Sequence, residues 1–598
     1  MYYNLIQSKK NASEGINSFY GINRTEKPNK NEFKEMINMS SDRFPCLASA
    51  KGVMDMEFTY VSGVIRAVIA PQYAEGDIKG FTGVADNAFY YNGERKSGET
   101  IPKGDVTLAD FNGRIVICVY DKAKDESHML YYDYTATGEG VVKKMERGVY
   151  DVTCKAWSSG NPEEDIYITN YITAKYNDED KKDKVVDWTE YFSVNDGVFI
   201  EGFAEDGAET FSNNTAAIDS KFQNSSAERI QSCVVEKIVN TTNNDGVVTD
   251  SKLYLKLQNY LKKPLVFKKT TNNTMTTTPT EKETAEKANV YIRMHTMNHI
   301  CVHNNRLWGT NPNGEYIYAS KLGDCFNFNT YQGLADDSFY AQVGTPGGFV
   351  GIVSYRDNLV AFKRDYIHHI YGDKPSNFTM PKQLSDCGCI EIRSAVQIGY
   401  VLYFLGYGGI YAYAGGQPEL ISQKLDSKYT SAVAMTDGQK YIVSCKGDES
   451  EFLVYDTRYG TWHKEDYIAA DAIGSFRWHD KVYIATSDAV YEYGTQAPQE
   501  WECESVIIHE DIFDNKGTTE LWIRAKIEKG GYIDVETSED GGQYLHRGRL
   551  EPNGLKVYRL PVRFINGEYY QYKLKGYGNA VIYDIERKVS AGGRTYKG

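Results

Sequence analysis

Few features of this chain point toward a membrane, an oxidising compartment or a grip on nucleic acid. No run of side chains approaches the ~20 apolar residues that a spanning helix needs, so helical insertion is excluded. The opening segment, MYYNLIQSKKNASEG, has none of the apolar core of a secretory signal, and synthesis in a reducing cytoplasm is expected. Ten cysteines are scattered without pairing rhythm. Cys387 and Cys389 form one close pair with no second pair at zinc-ligand spacing, so no metal and no cofactor is expected. Basic residues number 67 against 81 acidic ones, a formal net charge of −14. Affinity for nucleic acid comes largely from neutralising phosphates, yet the basic clusters are short pairs: Lys181-Lys182, Lys262-Lys263 and Lys268-Lys269. Tight DNA binding is excluded; a surface past which DNA slides is not. Proline is sparse, with 15 residues against 53 glycines. Helix signals are nearly missing, the best being KNEFKEMINM at residues 30–39.

What remains is β-sheet chemistry. The 48 tyrosines suit a pleated, half-wet surface, where the ring packs and the hydroxyl reaches water. In the second half, turn-forming pairs recur between runs of Val, Ile, Leu, Phe and Tyr: Asn304-Asn305, Asp357-Asn358, Gly399-Tyr400, Asp437-Gly438 and His479-Asp480. Each reads as a β-hairpin, and a recurrence of roughly 40–50 residues is the spacing of propeller blades. Asn112-Gly113 marks an earlier hairpin of the same kind. The expected fold is all-β: a β-propeller of about six to seven blades carrying an inserted small β-domain and a C-terminal β-sandwich.

The boundaries follow composition. Residues 1–50 read as a polar N-terminal arm and 51–144 as the first part of the propeller. Residues 145–292 read as the inserted β-domain, ending in a flexible Thr/Asn/Lys-rich loop near 270–287 that is too polar to order itself. Residues 293–500 complete the propeller, and 501–598 form the sandwich. Phe19, Phe33, Met36 and Phe44 are isolated apolar anchors in the arm, the pattern of a strip lying along another surface. They are the candidate subunit-interface residues.

Chemistry-bearing patterns are weak. Phosphate loops, GxSxG elbows and HExxH helices are missing. The paired acids Asp336-Asp337 and Glu163-Glu164 suit glycan hydrolysis only if two carboxylates flank one pocket, and adjacent loop acids are ordinarily solvated. His368-His369 lies in a strand reading, where neighbouring side chains face opposite ways. The acidic run at 177–180 matches no calcium loop. Ser538–Tyr544 approaches an Asp-box turn without its Trp. Trp308, Trp462, Trp478 and Trp501 fit blade packing better than a sugar platform. No catalytic residue is assigned.

Three segments are more specific. FYGIN in the arm is followed by Glu32, Phe33, Met36, Asn38, Ser40, Ser41, Asp42, Pro45 and Leu47. CVHNNRLWGTNPNGEYIYASKLGDCFNFN supplies Asn305, Arg306, Leu307, Trp308, Ile317, Ser320, Asp324 and Phe326. FLGYGGIYAYAGGQPELIS runs from Phe404 to Ser422. In this order they resemble the tailed-bacteriophage packaged-DNA stabilisation, tail hub or nozzle, proteins, over about half the chain. The resemblance implies a non-enzymatic β-propeller subunit of a virion tail. It would be assembled in the host cytoplasm as a ring, a hexamer, beneath the portal or adaptor and beside other tail proteins. There it would retain packaged double-stranded DNA and conduct it at ejection. A competing reading is a receptor-binding tail protein that recognises host glycan; a third is a propeller glycan hydrolase. On the first reading, deleting residues 1–45 is expected to leave a folded body that fails to assemble.

Overall fold

The computed structural model describes residues 11–55, 63–74, 80–136, 140–161, 166–182, 184–201, 230–257, 280–292, 294–381, 386–466, 471–495, 499–509, 516–562 and 567–591. Glu163-Glu164, Lys262-Lys263, Lys268-Lys269 and the 270–279 part of the polar tract lie outside them. The protein is all-β; among the described residues, helical structure is confined to the 3-10 turns Trp188–Glu190 and Gln423–Leu425.

Seven antiparallel sheets follow the hairpin rhythm. The first begins with Ile65–Val68, the second with Asp105–Phe111 and the third with His299–His303. The fourth begins with Phe349–Tyr355, the fifth with Glu391–Ile398, the sixth with Tyr429–Thr436 and the seventh with Gly474–Trp478. In each sheet the remaining strands add outward in chain order. The seventh is completed by Gly52–Asp55, from the opposite end of the chain, which pairs with Val490–Thr495. The first strands are neighbours in cyclic order, from first to seventh and back to the first.

Local chemistry explains the hairpins. Asn112 and Gly113, and again Asn304 and Asn305, all have positive φ, the conformation that a two-residue hairpin turn requires and that Asn and Gly tolerate best. Two turns differ from the sequence reading. Thr436 pairs with Tyr441, so Asp437-Gly438 is the first half of a four-residue turn. Tyr355 pairs with Asn358, so the central residues are Arg356-Asp357 rather than Asp357-Asn358.

Packing accounts for the continuous apolar runs. Asn358–Lys363 is buried along its whole length. Leu359 and Ala361 join the core shared with the third sheet, and Val360 and Phe362 join that shared with the fifth. Period-2 alternation thus feeds two hydrophobic interfaces rather than one core and one wet face. The second sheet does the same: Ile115, Ile117 and Val119 pack toward the first sheet, while Val116 and Cys118 pack toward the third. Sixth and seventh sheets share Ile442, Val454, Val482 and Ile484, and Tyr483 and Ala485 pack back onto Ile65 and Phe81 of the first.

Between the second and third sheets, six strands close into a barrel in the order Arg147–Asn161, Ile166–Tyr176, Val248–Leu257, Ile230–Thr242, Gly197–Glu201 and Thr280–Ile292. Trp188 and Phe192 fill it together with Val152 and Val290. The reading of 270–287 as a loop is corrected from residue 280 onward. Thr280–Ile292 is hydrogen-bonded along Arg147–Asn161, and this pairing with a distant strand offsets an ordering cost that local composition could not.

Past residue 500, two more sheets face each other. Glu500–Ser505, Tyr570–Tyr577, Tyr532–Glu539 and Leu545–Leu550 form one; Lys516–Ile527, Gly554–Pro561 and Ala580–Ala591 belong to the other. Leu521, Ile523, Ile533, Val535 and Leu574 meet between them. The arm ties this pair to the ring. Phe33–Ile37 runs antiparallel to Glu500–Ser505 and parallel to Thr461–Glu465 of the sixth sheet, making one continuous sheet of both. The helix expected at 30–39 is therefore a strand. Its register shifts between Phe33 and Glu35, so Phe33 and Met36 face the same core despite a helix-like spacing of three.

Candidate functional site

Two places concentrate chemistry. The first is the clasp where the arm meets the sixth sheet. Glu451, fully buried, accepts hydrogen bonds from Arg24 Nη2 at 2.8 Å and from the Tyr429 hydroxyl at 2.8 Å, with Lys464 Nζ at 3.3 Å. Arg24 also contacts Glu35 at 3.0 Å. Glu32 accepts from Asn29 N at 2.7 Å, Asn23 Nδ2 at 2.7 Å and Lys424 Nζ at 2.8 Å. Asn38, with φ at 54°, exchanges hydrogen bonds with Asp466: its Nδ2 donates to Oδ1 at 2.5 Å and its Oδ1 accepts from N at 3.0 Å. Ser41 Oγ donates to Asp456 Oδ2 at 2.5 Å, and Lys440 Nζ lies 2.7 Å from Asp42 Oδ1.

Burial alone would raise the Glu451 carboxyl. Hydrogen bonds from Arg24 and Tyr429 and the charges of Arg24 and Lys464 outweigh it, and the group is held below its ordinary range. Glu32, Asp42 and Asp456 are lowered in the same way, each against a desolvation penalty. The clasp is built for ionised carboxylates.

Of the four arm residues singled out from sequence, three serve the chain's own core. Phe19 (4% exposed), Phe33 (0%) and Met36 (3%) sit in the cluster that joins arm, ring and C-terminal sheets. Phe19 and Phe33 stack at 5.9 Å. As interface residues these three are corrected: a side chain already enclosed by its own chain cannot fill a neighbour's pocket. Phe44 is different. Half-buried, it stacks on Tyr459 at 4.3 Å and meets Tyr20 edge-on at 5.4 Å, and both tyrosines are exposed.

The second place is the channel at the centre of the ring. A cavity of about 840 Å³ touches all seven sheets, at Ile65, Gly104, Asn298, Gly348, Glu391, Ala434 and Gly474. Six of the seven residues stand at or near the starts of the first strands, and Ala434 lies toward the end of its own, Tyr429–Thr436. Its arginines and Glu391 are engaged, and Lys122 also lines the cavity. Arg393 makes a two-pronged contact with Glu391, both at 3.0 Å. Arg66 donates to the carbonyls of Asp86 and Gly104, both at 2.7 Å. Asp105 acts on both arginines. Burial pushes His299, on the same wall, down to about 4, so it is neutral at physiological pH. Carboxylates neutralised by arginine are poorly placed for the acid–base exchange of glycan hydrolysis.

Several other sequence candidates among the described residues serve the fold. Asp337 is buried and its carboxylate accepts backbone N–H bonds from Gln332 and Leu334 in its own loop. His368 and His369 face opposite ways, His368 toward Thr345 Oγ1 at 2.8 Å and His369 toward the Tyr413 hydroxyl at 2.5 Å. Trp308, Trp462 and Trp501 are buried. Asp178 accepts from Asp180 N within a turn, and Asp540 Oδ1 accepts from the backbone N–H groups of Glu568 and Tyr569. Among the described residues no group of three or more His, Cys, Asp or Glu is placed to hold a metal ion, and no helix is long and apolar enough to cross a membrane. Arg306 is fully buried and donates to the carbonyls of Ser320, Ala335 and Asp337. Sequence reading missed the partners of the clasp, Arg24, Tyr429, Glu451 and Lys464, because no local pattern links residues some 427 positions apart.

No family model matches the sequence, and no curated protein matches it. Among solved structures, a chain of the mitotic checkpoint complex is 9% identical, with 64% of this chain and 87% of that one covered and a TM-score of 0.27. An exo-β-1,3-galactanase from Phanerochaete chrysosporium is 9% identical over 82% and 98%, with a TM-score of 0.16. An acylaminoacyl peptidase from Pyrococcus horikoshii is 10% identical over 71% and 58%, with a TM-score of 0.24. Similarity at this level assigns neither a family nor a reaction to the chain.

Proposed function

We propose that the chain is a non-enzymatic, ring-building subunit of a tailed-bacteriophage virion, a tail hub or nozzle component, and that its seven sheets form a seven-bladed β-propeller. The observation that carries this reading is where the residues of the resemblance fall. Glu32, Phe33, Met36, Asn38, Ser41 and Asp42 all lie in the clasp or the core beneath it. Arg306 bolts the third sheet to its outer loop through the carbonyls of Ala335 and Asp337, and Ser320 Oγ accepts from Leu307 N. These residues hold architecture together, as the signature of a scaffold should.

The propeller's own channel is not the path for DNA on this reading. The cavity at its centre, about 840 Å³, has the size of a small-molecule pocket. The duplex would instead run along an axis shared by several subunits, past acidic surfaces that do not brake it. Phe44, Tyr20 and Tyr459 then offer a partly exposed aromatic patch for contact between copies or with the portal or adaptor.

The test is mass photometry and negative-stain microscopy of the purified full chain, alone and with its particle's portal complex. Closed rings, six copies each, are expected, and Phe44→Asp should shift the population toward single chains without changing the urea midpoint. A chain that stays monomeric in both settings, or rings indifferent to Phe44→Asp and Tyr459→Asp, would argue against the reading.

A further inference from the structure

At the root of the barrel, where the chain leaves the second sheet and later returns to the ring, there is a second cavity of about 400 Å³. Part of its lining is aromatic: Tyr150, 45% exposed, stacks on Tyr291 with ring centres 5.7 Å apart and planes at 25°. Around the rim stand Glu99, His128, Lys144 and Glu146. No hydrogen bond or ion pair among the described residues engages these four ionisable side chains, whereas Glu391 of the central channel and the carboxylates of the clasp are matched.

We infer that this cleft is a binding site for a neutral saccharide, with Tyr150 as the stacking platform. The size is that of pockets that take small organic molecules. A tyrosine face packs on the C–H face of a sugar ring while its hydroxyl stays wet. Glu99 and Glu146 accept from vicinal hydroxyls; Lys144 and His128 donate to ring and glycosidic oxygens. A lipid tail would strand these polar groups, and a phosphate ester would meet two carboxylates at the rim. The site involves neither the clasp nor the aromatic patch at Phe44, so it stands or falls separately from ring assembly.

Saturation-transfer NMR on the purified full chain tests it, with the methyl glycosides of glucose, galactose, mannose, rhamnose and N-acetylglucosamine as probes. At least one should bind. Tyr150→Ala should weaken it roughly tenfold, the loss of about one stacking contact. Glu146→Gln should weaken it severalfold, and Tyr400→Ala, exposed on the fifth sheet, should leave it unchanged. Should Tyr150→Ala disturb the fold, Glu146→Gln and Glu99→Gln carry the comparison. The inference is wrong if none of the five probes binds, or if binding survives the cleft substitutions undiminished.

Discussion

A chain lacking residues 1–45 is expected not to fold, rather than to fold and fail to assemble. The segment carries Phe19, Ile22, Phe33, Met36 and Met39, all at most 4% exposed and all in the core that joins the sixth sheet to the C-terminal pair. Truncating one buried Phe or Met to Ala typically costs about 2–5 kcal/mol. Removing five, about 10–25 kcal/mol at that rate, matches or exceeds the roughly 5–15 kcal/mol by which domains are stable. The deletion also exposes the edges of Thr461–Glu465 and Glu500–Ser505, which Phe33–Ile37 now covers, inviting aggregation. Expression, size-exclusion chromatography and circular dichroism should find insoluble or non-cooperatively melting material. A soluble truncated chain with the full-length urea midpoint would show that the arm is dispensable for folding.

The largest effect of a single substitution is expected at Glu451. Glu451→Ala leaves Arg24, Lys464 and the Tyr429 hydroxyl facing a space that their partner has vacated, and breaking a buried pair in this way costs about 3–5 kcal/mol. Glu451→Gln, which keeps the shape, should cost less. The same group makes the clasp acid-sensitive. Because its folded value lies below the ordinary 4.5, the unfolded chain binds the proton first. The stabilisation is therefore complete above about pH 5 and is lost as pH falls through 4.5 and into the depressed folded range. Asp42, Asp456 and Glu32 add in the same direction. Urea midpoints between pH 7 and pH 3 should fall steeply below pH 4.5 in the wild type and less steeply in Glu451→Gln. Identical slopes would remove Glu451 from the acid response.

In both cases the arm acts on its own chain. Composition made it look like a tie for a neighbour, since its apolar residues are isolated and its period is irregular. The bulge between Phe33 and Glu35 reconciles that irregularity with a strand. Once both Phe33 and Met36 point inward, the arm is a girder of the chain that carries it. Phe44 alone of the four keeps a free face.

Sheet chemistry was open to reading from residues because its causes are local. Asn-Gly and Asn-Asn adopt the positive φ of tight hairpins, alternating branched and aromatic residues pair across strands, and the acidic balance weakens any hold on phosphates. Long-range partners followed no such rule. That Gly52–Asp55 completes the seventh sheet, that Thr280–Ile292 closes a barrel and that Glu451 meets Arg24 depend on backbone and charge groups more than 100 positions apart. Their pairing energy exists only once the chain is closed, because loop entropy must be overcome before any of these contacts forms. Turns, strands and charge belong to the linear chain; the clasp, the channel and the tyrosine cleft arise where distant strands are brought within a few ångströms of one another.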